Sequence, residues 1–316
     1  MCFFNVCPLI SSLYCRKFEE CKYVRPRNRL LFKDLMSLSG WNFFGNITFS
    51  LLHEGINFIL NIFGGLVYNV ARSIAYQVKG ITAQFSNNSM IAVRPVVMQS
   101  AARDDGNQIL FSNIIKISRV SVFLVLVPIV TIEAFCPELL AIWLADVPPY
   151  SVLFTRLVLL GILIRSLHEP INMLYMSLGK IKRMILSEAL VMLFFLTVIY
   201  IALSNGIPLW TSFALLAVME IVIIIVLLVN SQLELRFPVL CYCKEVLLPF
   251  LYILIINLIL ACLFSIIHPK GILLTFFLCS VLIGLTCLSI FLFMNEKEKE
   301  ILKDFAARKL HLKTKP

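Results

Sequence analysis

The chain has 316 residues, of which 60% belong to the apolar set AVILMFWYC and only 15% are charged, with a net charge of +10 and a mean hydropathy of +0.92. Soluble chains carry about 45–50% apolar and about 25% charged residues, so there are too few polar side chains here to clothe a water-facing surface. The figures exclude a cytosolic enzyme, a secreted disulfide scaffold and a nucleic-acid partner. They point to an all-α integral membrane protein.

The first fourteen residues are apolar but too short to span and have no cationic n-region, so they read as the end of an earlier span rather than as a signal peptide. Residues 15–34 follow as a basic loop carrying Arg16, Lys17, Lys22, Arg25, Arg27, Arg29 and Lys33. A bilayer-crossing helix needs about 20 mostly apolar residues. Eight segments qualify: 35–61, 66–93, 110–134, 151–176, 184–203, 208–229, 246–267 and 271–293. The expected organisation is therefore a partial apolar segment and basic cytoplasmic loop (1–34), a six-helix transporter bundle (35–229), two additional transmembrane helices (230–293) and a basic cytoplasmic tail (294–316).

The connectors alternate in charge. Residues 15–34, 94–109, 177–183, 230–245 and the tail hold the cations. The connectors at Gly64-Gly65, 135–150, 204–207 and 268–270 together hold a single one, Lys270. Because basic loops stay in the cytoplasm, both termini are expected there, in a multi-pass protein. No outer connector is long enough for a separate domain. The ten cysteines have no zinc spacing and read as ordinary thiols, and no metal or cofactor is expected.

A charge at bilayer depth costs at least about 2.5–3.5 kcal/mol and faces a partner or a water-filled cavity, so the few intramembrane polar residues carry the functional information. Asn42, Asn46, His53 and Asn57 share an arc of the first span, with Glu54 displaced to its side. They serve either as glue between helices or as ligands for sugar hydroxyls. Arg72 and Lys79, seven residues apart with Tyr76 between them, share a face of the second span. They form either a cationic cavity wall or half of ion pairs with acids on other helices. In the fourth span Arg165 and Glu169 suit an intrahelical salt bridge, with Pro170 kinking the helix beside them. Arg156 and Glu188 lie near span ends and can snorkel. Glu220 is a deep acid that either binds a coupling cation or proton, or pairs with Lys79. Asp104-Asp105 read as a solvated turn. The sequence has no GxxxxGK[ST], HExxH or GxSxG motif, and an enzyme is not expected.

The run Ser39-Gly40-Trp41-Asn42, Gly55-Ile56-Asn57, Asn61-Ile62-Phe63-Gly64 and Asn69-Val70-Ala71-Arg72-Ser73-Ile74-Ala75-Tyr76-Gln77-Val78 resembles oligosaccharide flippases. So do Arg94-Pro95, Gln99-Ser100-Ala101-Ala102, Leu144-Ala145-Asp146-Val147-Pro148-Pro149-Tyr150 and Gly179-Lys180-Ile181-Lys182. These are the O-antigen or capsule repeat-unit translocases of the multidrug/oligosaccharidyl-lipid/polysaccharide exporter superfamily. The resemblance implies translocation of an undecaprenyl-pyrophosphate-linked oligosaccharide across the bacterial cytoplasmic (inner) membrane, by alternating access between two bundles around a cationic cavity. It makes Arg72, Lys79, Tyr76, Asn42, Asn46 and Asn57 the expected cavity residues, and Glu54, Glu169 and Glu220 the candidates for ion coupling. The expected partners are the lipid-linked oligosaccharide, membrane lipid, and polysaccharide polymerase and glycosyltransferases. Eight spans match only the second bundle plus two extra C-terminal helices. The resemblance therefore implies either a fragment or a chain completed by a separate N-terminal half or a second copy. The alternatives are a cation-coupled small-molecule or drug exporter, a membrane polysaccharide polymerase or ligase, and a non-functional remnant.

Overall fold

The computed structural model describes residues 14, 15, 18, 29–102, 107–267, 269, 271–294 and 299. Asp104-Asp105, Lys270, the first thirteen residues, most of the basic 15–34 loop and nearly all of the tail lie outside the described residues. The chain divides into two compact units, Met1–Trp41 and Asn42–Pro316. In the first, Tyr14 and Phe18 meet edge to face at 5.7 Å, and residues 32–40 of a helix are solvent- or lipid-accessible.

Among the described residues every regular element is helical: α1 (Arg29–Ala101), α2 (Gln108–Ala134), α3 (Cys136–Trp143), α4 (Ser151–Ser177), α5 (Ile181–Ser204), α6 (Thr211–Leu235), α7 (Val239–Tyr242), α8 (Leu248–Ser265) and α9 (Ile272–Phe293). A π-helical turn, Cys243–Leu247, joins α7 to α8. Seven of the helical runs are long and apolar enough to cross a membrane. The third to eighth expected spans coincide with these to within a few residues, except that the sixth runs on to Leu235 and the seventh begins at Val239. The first two expected spans fall on one helical run, Phe32–Ala101.

That run is not straight. Seventy residues of straight helix would extend roughly 105 Å, against a hydrocarbon core of about 30 Å. It breaks at Gly65, whose φ of 70° and ψ of −162° lie outside the helical region and suit glycine alone. Gly64 beside it is needed for a second reason: a Cβ there would stand 2.7 Å from Leu209 and 2.8 Å from the Tyr68 ring. Beyond the break the chain doubles back. The Asn69 amide donates to Asn61 Oδ1 at 2.6 Å, and Arg72 Nη2 donates to the His53 carbonyl at 3.0 Å. These pairs straddle Gly65 almost symmetrically, so the two arms of α1 form an antiparallel hairpin.

Within the second unit, lipid supplies no hydrophobic drive for helices to associate, so close packing and polar contacts decide. Gly45 and Gly55 on the first arm seat Ile185 and Leu196 of α5, within 3.2 and 3.1 Å of where a Cβ would be. Ser86 meets Ser121 at 3.4 Å, and Asn113 donates to Ser100 at 3.0 Å, joining the second arm to α2. The Tyr242 hydroxyl donates to the Leu167 carbonyl at 2.7 Å. Helices α8 and α9 lie against α2 and are bonded to each other through Asn257 and Ser289, 3.0 Å apart. Buried Arg119 of α2 reaches the Phe293 carbonyl at 3.3 Å, placing a cation where the carbonyls at the end of α9 need a donor.

Candidate functional site

The face of α4 built from Arg165, Glu169, Asn172 and Met176 repeats at steps of four, three and four, one helical stripe. On α5 the stripe is Met184, Glu188 and Met192. These faces close a cavity of about 550 Å³ against the two ends of the α1 hairpin, Asn42 to Phe49 and Asn87 to Arg94. Four amides (Asn42, Asn46, Asn87, Asn172), two guanidinium groups (Arg94, Arg165), two carboxylates (Glu169, Glu188) and five of the chain's ten methionines line it. Arg94 is exposed at the cavity edge, and its Nη2 approaches the Met176 sulfur at 3.8 Å.

A second, smaller pocket of about 40 Å³ shares Phe49, Arg165 and Met192 with the first and is lined further by His53, Tyr76, Lys79 and Glu220. Between the two runs a charge network. Arg165 Nε bonds Glu169 Oε1 at 3.0 Å, and its Nη1 lies 3.8 Å from Glu220 Oε1. The other oxygen of Glu220 bonds His168 Nε2 at 2.8 Å. His168 and Glu220 are both buried, so each removes the cost of leaving the other without a partner. The Arg165 guanidinium also lies over the Phe49 ring at 5.1 Å.

The polar residues singled out in the sequence are distributed over both pockets. Asn42, Asn46 and Glu169 line the large cavity. Tyr76, Lys79 and Glu220 line the small one. Arg72 and Lys79 flank a single ring, with the guanidinium 4.5 Å and the ammonium 4.8 Å from the Tyr76 centroid. Arg72 lines neither pocket and is tied to the His53 backbone, while the His53 ring stands edge-on to Tyr76 at 5.4 Å. Asn57 turns to the exposed Glu54, 3.5 Å away, and neither lines a pocket. Among the described residues Lys79 has no carboxylate within 4.0 Å, and Glu220 pairs with Arg165 and His168 instead. Arg156 finds Glu133 at 3.7 Å. Glu188 lines the cavity. Sequence reasoning missed Arg94 of α1 as a cavity residue, and Asn172, Met173, Met176, Met184 and Met192 altogether. Most of the latter fall on the helical stripes of α4 and α5, which were read only at their charged members.

Polarity continues on the outer face of the α1 hairpin. Asn46, Ser50, Glu54 and Asn61 are exposed along the first arm, and Ser73, Gln77, Gly80, Gln84 and Asn87 along the second. Both series follow helical steps of three, four or seven. Among the described residues no group of three or more His, Cys, Asp and Glu could hold a metal. What the arrangement can do is hold a polar molecule at bilayer depth. Compared with models of protein families, with curated proteins and with solved structures, the chain matches none. The shown class is a multi-pass, all-helical membrane protein.

Proposed function

We propose that this protein is a membrane transporter, not an enzyme, whose cargo is an undecaprenyl-pyrophosphate-linked oligosaccharide moved across the bacterial inner membrane for cell-surface polysaccharide assembly. The observation that carries this reading is the cavity of about 550 Å³, whose wall combines four amides with guanidinium groups among membrane-length helices. Sugar hydroxyls both donate and accept, and an amide offers both functions. A diphosphate is met by Arg94, whose only described polar contact is a thioether, and by Lys79 one pocket deeper.

In this reading each arm of α1 crosses once and the six later runs once each, giving eight spans with both ends cytoplasmic. The cavity then opens at the cytoplasmic end, between Arg94 and Met176. The polar outer stripes of the hairpin meet a second bundle, supplied by an N-terminal half or a second copy. Polysaccharide polymerase and glycosyltransferases act on the same lipid-linked intermediate. Arg165, bridging Glu169 and Glu220, is the element that ion binding would reset.

The test uses proteoliposomes carrying a fluorescent undecaprenyl-diphosphate glycan, with translocation read as loss of accessibility to a reagent confined to one side. Wild-type protein moves the lipid, and the double variant Lys79→Ala/Arg94→Ala does not, while its stability falls by no more than the about 0.5–1 kcal/mol of the one lost contact between Lys79 and Tyr76. Unchanged translocation by the double variant would sink the assigned cargo site. Loss of folding would assign both cations a structural role. A second reading, export of small organic cations, is favoured by the methionine wall, since thioethers adapt to varied apolar shapes. Drug-susceptibility assays separate it.

A further inference from the structure

Among the described residues Glu188 makes no ion pair with the charge network, although the charges of Arg165 and His168 reach it. Arg165, the cation on that side of the cavity, is already shared between Glu169 and Glu220. Among the described residues no cation lies within 4.0 Å of the Glu188 carboxylate. Asn172 of α4 lines the same cavity. That leaves two buried oxygens on the cavity wall, Glu188 Oε1 and Asn172 Oδ1, with no hydrogen-bond partner. An ionised Glu188 and the Asn172 carbonyl oxygen only accept hydrogen bonds, so phosphate or carboxylate oxygens cannot satisfy them, whereas a hydroxyl or an ammonium can. They need a donor, and beside a carboxylate a positively charged donor is favoured.

The neighbours decide what kind of cation fits. Met184 and Met192 lie one turn either side of Glu188, and Met173 and Met176 lie beside Asn172. Hard alkali and alkaline-earth ions require about six oxygen ligands, and thioethers do not serve them. A cavity of about 550 Å³ is also far larger than a single ion. An ammonium with carbon around it matches both halves of the wall: N–H groups for the two oxygens and C–H surface for the thioethers.

We propose that Glu188 and Asn172 form a subsite for one protonated amine on the molecule that occupies the cavity. The inference rests on the reading that the cavity receives a transported molecule, and it adds a required chemical feature of that molecule. The amine can come from an amino sugar of a glycan or from a small organic base.

The experiment is a fluorescence titration of the full chain in lipid nanodiscs with dansylcadaverine, a primary amine on an environment-sensitive apolar reporter. Its N-acetylated form, which lacks the charge, is the control. Saturable binding of the amine, weakened roughly tenfold or more by acetylation and by Glu188→Gln, is expected for loss of a charge-assisted contact. Asn172→Asp adds a second carboxylate oxygen and should tighten binding, so the proposal stays testable if Glu188→Gln does not fold. Displacement by glucosamine but not glucose assigns the amine to a sugar. Displacement only by apolar amines assigns it to a small base. Equal binding of the acetylated probe, indifference to both substitutions, or displacement by sodium chloride but not choline chloride would overturn the subsite. Because none of these readouts requires lipid translocation, failure here leaves the flippase assay to judge the cargo separately.

Discussion

Arg165 holds two carboxylates at once, and the two contacts are unequal: 3.0 Å to Glu169 within the same helix and 3.8 Å to Glu220 on α6. The longer contact joins two helices and involves a group that His168 also holds at 2.8 Å. Truncating Glu220 to Ala strands buried His168 and leaves Arg165 with Glu169 alone, and breaking such a buried pair costs about 3–5 kcal/mol. Glu220→Gln keeps a hydrogen-bonding group in place and should lose less. Denaturant unfolding in bicelles checks the order, and a loss below about 1 kcal/mol for Glu220→Ala would show the network to be water-filled rather than dry. Tyr76 offers a second residue-level test, because one ring serves both Arg72 and Lys79. Tyr76→Phe should be nearly neutral. Tyr76→Leu should cost on the order of 1–2 kcal/mol, about 0.5–1 for each cation–π contact, in the same unfolding measurement.

At the scale of the element, the α1 hairpin depends on two adjacent glycines for different reasons, and a third glycine provides the comparison. Gly65→Ala forces a side chain into φ near 70° at roughly 1–2 kcal/mol. Gly64→Ala drives a methyl to 2.7 Å from Leu209 and must push α6 or the Tyr68 ring away. Gly80 lies inside the second arm with nothing within 4 Å of its Cβ position, so Gly80→Ala should stabilise by about 0.5–1 kcal/mol. Unfolding midpoints in the order Gly80→Ala, wild type, Gly65→Ala are the expected result. The outer stripes carry their own prediction. Exposed Ser73, Gln77 and Gln84 lie about a quarter-turn round the second arm from exposed Val67 and Phe85, and only the apolar set is suited to acyl chains. Spin labels at 67 and 85 should show high collision rates with oxygen, which concentrates in lipid. Labels at 73, 77 and 84 should show low rates. Equal rates would mean that the polar stripe faces lipid.

For the whole molecule, what could be read in advance follows from range. The spans were legible because about 20 apolar residues in a row is a local pattern, and the hairpin was legible in Gly64-Gly65, which separates two such runs. Arg165 with Glu169, and Arg72 with Tyr76 and Lys79, were legible because helical geometry alone brings residues four or seven apart onto one face. Glu220 was visible as a deep acid, but its pairing with His168 across 52 residues depends on how α4 packs on α6, which no local rule sets. The short α3 helix in the 135–150 connector escaped notice because its eight residues are too few to show a period. Orientation remains the property that most constrains function, since the cavity edge at Arg94 and Met176 lies at the same end of the helices as the turn at Gly179-Lys180. The turn at Asn205-Gly206 lies one helix length away, at the far end of α5. Basic residues cluster at the first turn (Lys180, Lys182, Arg183), and the second has none, so the proposed orientation puts the first in the cytoplasm. In a background without native cysteines, Lys180→Cys should react with a membrane-impermeant maleimide only in inverted vesicles. Asn205→Cys should react only in right-side-out ones. The reverse pattern would open the cavity to the outside, where a cargo assembled on the cytoplasmic leaflet could not enter it, and the proposed direction of transport would fail with it.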